Sequence, residues 1–148
     1  MSSDKSVTKD LILTLEDGKA GYAKAAEKAQ ESEHPEIVSV FRELSKQRSD
    51  FASELSALAA AYGDDIEQQG SVVGTIHRGW MTIKDALAGS SISGLLDAAV
   101  QGEAHAVKQY EEALTEDISP ELRVVIVRQF DDVRAAEGQI LAMQKVNA

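Results

Sequence analysis

The chain has 148 residues, 43% of them apolar, with 25 acidic against 15 basic side chains, a formal net charge of −10 and no cysteine. Such a length and apolar share suit one domain, residues 1–148, with its own core, and the lack of cysteine excludes disulfides, thiolate metal sites and cysteine nucleophiles. The acids are scattered, and no basic patch with interleaved aromatics relieves them, so neither nucleic acid nor an anionic membrane surface is expected as a partner.

The opening MSSDKSVTKD lacks the apolar core of a signal peptide, and no run approaches the roughly 18 apolar residues of a membrane span, which predicts a cytoplasmic protein. A first helix is predicted from about Lys5 to Glu31, with Leu11, Leu15, Gly18, Tyr22, Ala25, Ala26 and Ala29 on its main face. Gly18 and Gly21 each cost about 1 kcal/mol of helix propensity relative to alanine, a cost that close approach of a neighbouring helix would offset. Pro35 opens a second helix, reaching about Tyr62, with Phe41, Leu44, Arg48, Phe51, Leu55 and Leu58 in register. After a polar stretch, Val72 to Leu87 forms a short amphipathic helix inside a long crossover at about 64–91.

The third helix, about Ile92 to Glu116, places Leu95, Leu96, Ala99, Glu103, Ala106, Val107, Tyr110 and Ala113 on one stripe. Ser119-Pro120 starts the last helix, which runs to about Lys145 with Leu122, Ile126, Gln129, Val133, Glu137 and Ile140 inward. No segment alternates with period two between turn residues, so no sheet is expected. Short links at both hairpins and a long middle connection predict an all-α, ferritin-like four-helix bundle.

Glu103 is the one acid in the third helix's apolar stripe, and a buried carboxylate requires a partner. Counted at 1.5 Å per residue, Lys19, Arg48, Glu103 and Glu137 lie at depths agreeing within roughly 8 Å, so one mid-bundle layer is expected to hold all four. Ferritin-like proteins keep two metal ions at that level, on glutamates and Glu-x-x-His motifs. This sequence has no Glu-x-x-His, and the corresponding positions read Arg48-Ser49-Asp50-Phe51 and Arg134-Ala135-Ala136-Glu137. Arginine cannot ligate a cation and repels one. The preferred expectation is therefore a buried charge network without metal. The alternative is a carboxylate site for iron or another divalent metal, built from Glu16, Asp17, Asp50, Glu103 and Glu137.

His34, His77 and His105 do not have the spacing of a metal site, and His105 diverges from Glu103 by about 200° on a helix. His77-Arg78-Gly79-Trp80 joins the only tryptophan to two cationic or titratable groups within the crossover. Trp80 can plug the bundle while Arg78 binds a carboxylate or a helix end, or the three side chains can form a ligand or partner site. No nucleophile–base pair, phosphate loop or paired catalytic carboxylate is visible, and no catalytic residue is assigned.

Four groups of residues resemble a bacterial family of ferritin-like bundles catalogued as a domain of unknown function. They are Asp17-Gly18 with Gly21-Tyr22 and Ala25-Ala26-Glu27; Gln47-Arg48 with Phe51 and Glu54-Leu55; Gly70-Ser71 with His77-Arg78-Gly79-Trp80; and Gly102-Glu103 with Tyr110. The resemblance spans about Leu11 to Leu141 and implies the ferritin-like fold without a reaction. It also implies a histidine where this chain has Glu137, a departure that argues further against metal, and it suggests a stress-response setting. The expected role is a non-enzymatic binding or structural module, homo-oligomeric through exposed helix faces, with a protein partner left open.

Overall fold

A computed structural model describes residues 2–61, 80 and 91–147. Among these the elements are α1 (Ser2–Ala29), a single 3-10 turn (Gln30–Ser32), α2 (Pro35–Ala61), α3 (Ile92–Leu114) and α4 (Pro120–Val146), with no strand. The chain is thus an all-α helical bundle. The predicted crossover helix Val72–Leu87 falls outside the described residues except for Trp80.

Local chemistry sets the helix ends. Glu33 adopts a left-handed backbone at φ 57°, and the His34 carbonyl then accepts from Ile37 and Val38 at 3.0 and 3.1 Å, closing the first turn of α2 behind Pro35. Ser91 Oγ accepts from the Gly94 amide at 3.0 Å, and Ser119 Oγ accepts from that of Leu122 at 3.3 Å, so a serine caps both α3 and α4. Arg123 donates to the carbonyls of Leu114 and Glu116 at 3.0 and 3.1 Å, satisfying acceptors that the end of α3 leaves open.

Cross-helix pairs give the helix directions. Tyr22 packs on Phe41 with ring centroids 5.8 Å apart while Ser45 Oγ donates to the Lys19 carbonyl at 2.9 Å, so α1 and α2 run antiparallel. Asp4 accepts from the Ser119 amide at 2.8 Å and Tyr22 reaches Glu103 at 2.5 Å, which makes α3 antiparallel to α1 as well. It follows that α2 and α3 are parallel. Tyr110 with Gln129 and Asp97 with Gln144 bring α4 back antiparallel to α3.

The core divides in two. One apolar cluster gathers Tyr22, Ala26, Ile37, Phe41, Leu95 and Ile140 with Trp80, and the other gathers Leu11, Leu15, Phe51, Leu55, Ile126 and Val133. Arg48 and Glu103 belong to neither and lie at the level where one gives way to the other.

Candidate functional site: an enclosed arginine–glutamate–tyrosine cluster

Three helices build the cluster. Arg48 on α2 is 1% exposed and Glu103 on α3 is 0% exposed, and neither could stay charged there alone. The guanidinium forks onto the carboxylate, Nη1 to Oε1 at 2.7 Å and Nη2 to Oε2 at 3.0 Å, which is the bidentate geometry that makes arginine the strongest carboxylate partner. The Tyr22 hydroxyl on α1 donates to the same Oε1 at 2.5 Å. Arg48 Nε donates to Gln47 Oε1 at 3.1 Å, and the Arg48 guanidinium carbon lies 5.6 Å from the centre of the Tyr22 ring.

Glycine makes room for this. A Cβ on Gly18 would stand 3.3 Å from Arg48 Cγ, tight enough that the arginine stem would have to give by a few tenths of an ångström, so the glycine eases the close approach of α1. Burial is the largest single influence on Arg48 and would lower its pKa, but the charge and hydrogen bond of Glu103 together with Tyr22 and Tyr110 outweigh it and hold the guanidinium above its usual value. Burial, and next the Glu103 charge, push the Tyr22 phenol well above its ordinary range. The hydroxyl therefore stays a donor at any physiological pH.

The layer is smaller than the sequence predicts. Arg48 and Glu103 meet as expected, but Lys19 is exposed and contributes only its backbone carbonyl, so it is not part of the buried network. Its position is about 100° round α1 from Gly18, on the flank of the inward stripe, where its side chain is exposed. Glu137 is half-buried and takes no part in the cluster's hydrogen bonds, because Val133, Ala136 and Ile140 occupy the inward stripe of α4. Of the carboxylates in the alternative metal set, Asp50 is exposed and held by Lys46 at 3.0 Å, Glu16 is half-buried and Asp17 is buried. Among the described residues no group of three or more histidines and carboxylates is arranged to hold a metal ion.

Trp80 is 2% exposed, so its indole belongs to the core and not to an open partner surface. A Cβ on Gly21 would run into its Cδ2 and a Cβ on Gly102 into its Cε2, and both glycines are therefore required for the ring to reach the α1–α3 seam. Its neighbour there is Tyr22, edge-on at 4.7 Å, which links the indole directly to the Glu103 cluster. His77 and Arg78, the other members of the predicted crossover site, lie outside the described residues.

A second polar chain was not foreseen in the sequence. Tyr110 donates to Gln129 Oε1 at 2.7 Å, and Gln129 Nε2 donates to Glu54 Oε1 at 2.9 Å and to the Phe51 carbonyl at 3.3 Å. Glu54 in turn pairs with Arg128 at the surface. The inward position of Gln129 was legible, but its partners come from two other helices and follow no sequence spacing.

The sequence model of a domain of unknown function (DUF2383) matches residues 6–116. This chain belongs to that family. The DUF2383 match runs from within α1 through α2 and α3 and so includes Gly18, Tyr22, Arg48, Trp80, Gly102 and Glu103, whereas α4 lies beyond it. No curated protein matches the chain.

Proposed function

We propose that this DUF2383 chain is a ferritin-like bundle acting as a non-enzymatic structural or binding module, in which the Arg48–Glu103–Tyr22 cluster stands where ferritin-like proteins hold two metal ions. The parallel run of α2 and α3 supports the ferritin-like reading, since such a pair needs a long connection. The observation that carries the functional reading is the bidentate pair itself. Both oxygens of Glu103 are engaged by a guanidinium whose fixed charge repels cations, so these residues do not fit a dimetal centre. In this reading the protein is cytoplasmic, forms homo-oligomers in a stress-related setting and has no cofactor, with a protein partner left open.

One observation favours a second reading, a carboxylate site for iron or another divalent ion on α1. Glu16 Oε1 is buried without a hydrogen-bond partner among the described residues, and the neighbouring Asp17 is buried too. Metal content separates the two. Stripped protein is offered Fe(II), Mn(II) or Zn(II) in turn and bound metal per chain is measured for the parent, Glu103→Gln and Glu16→Gln. No binding by the parent supports the module. Tight binding lost in Glu103→Gln overturns it, and tight binding lost only in Glu16→Gln supports the second reading.

A further inference from the structure

The outward face of α4 carries Val124, Val127, Asp131, Arg134, Gly138 and Leu141, all exposed, at alternating steps of three and four residues. Val124 is 67% exposed, Val127 43% and Leu141 44%, three large apolar side chains left open to water along one strip of the helix. We propose that the strip pairs with the same strip of a second copy of this chain, antiparallel, across a two-fold axis passing between positions 132 and 133.

Three observations lead to that partner and that direction. The strip holds one acid and one base in a chain of net charge −10, so two copies can approach here without their acidic surfaces meeting. In the antiparallel register Asp131 of each copy faces Arg134 of the other, giving two ion pairs related by the axis, whereas a parallel register sets Asp131 against Asp131. The same register places Val124 opposite Leu141 and Val127 opposite Gly138. The strip from Val124 to Leu141 is about 26 Å long.

Gly138 is the third observation. Gly18 makes room for Arg48, and Gly21 and Gly102 make room for Trp80, but a Cβ on Gly138 would meet nothing within 4 Å among the described residues. A glycine in mid-helix lowers helix propensity, and no packing among the described residues calls for this one. A valine seated against it from a second α4 does. The Arg134 guanidinium rests 5.7 Å from the centre of the Phe130 ring on its own helix.

The proposal gives a surface to the homo-oligomer of the proposed function and rests on that part of it, but not on the charge cluster. Sedimentation of the full chain over about a hundredfold range of concentration measures the dimer constant. Asp131→Arg and Arg134→Asp should each weaken the dimer at least about tenfold, by setting like charges together. The double change Asp131→Arg with Arg134→Asp restores opposite pairing and should return the constant to within about threefold of the parent. Gly138→Leu, which holds the helices apart, should weaken it as well. Single changes that weaken the dimer without rescue by the double change overturn the antiparallel pairing. An oligomer indifferent to all four variants overturns this surface and leaves the oligomer itself standing. A chain that stays monomeric overturns both and leaves the charge cluster untouched.

Discussion

Arg48 and Glu103 are each other's condition for being where they are. Removing one leaves the other charged and dry, so Arg48→Met should destabilise by about 3–5 kcal/mol in denaturant unfolding, while Arg48→Met with Glu103→Leu should recover most of the loss. Independent, small effects would mean that the pair contributes nothing. The tyrosines predict an alkaline limit. Burial raises the phenols of Tyr22 and Tyr110 above the ordinary value of 10.0, so between that value and the folded ones the unfolded chain has released protons that the folded chain keeps. Their contribution is complete below about pH 10 and is lost as pH rises through the folded values. Unfolding free energy should therefore fall with pH above about 10, and Tyr22→Phe or Tyr110→Phe should each flatten the slope by up to about one proton. A slope unchanged in both variants would contradict this.

At the scale of elements, the seam between α1 and α3 depends on glycines that permit an indole. Alanine at Gly21 or Gly102 adds about 1 kcal/mol of helix propensity but puts a methyl group into a ring already packed on both helices, an overpacking cost of about 1–3 kcal/mol. Both variants should lower the melting temperature, and one that raised it would show that Trp80 can move aside. The sequence makes much of this architecture readable. Pro35 and Ser119-Pro120 place helix starts within a residue of those observed, because capping is local chemistry. Arg48 and Glu103 stand out as charges on apolar stripes. Lys19 and Glu137 do not follow, since depth along a helix is countable from sequence while rotation about its axis depends on which neighbours take the inner face. Gln129 and Glu54 meet by tertiary packing alone. The double accommodation of Trp80 becomes visible only once Gly21 and Gly102 are seen on facing helices.

For the whole molecule, a net charge of −10 means that its surface works against its core. Added salt screens exposed charges with a Debye length of about 8 Å at physiological strength, but it does not reach a pair with 1% and 0% exposed side chains. Raising ionic strength from low to physiological should increase the melting temperature, while the penalty of Arg48→Met stays constant across the same range. A penalty that shrinks with salt would indicate that water enters the cluster. The enclosure of Trp80 has an optical consequence. It is the only tryptophan in the chain, so the indole emission of the native protein comes from one address, between α1 and α3 and beside Tyr22. Its wavelength reports wetting of that seam, and a red shift that precedes loss of helical circular dichroism would time the parting of the two helices without any attached label.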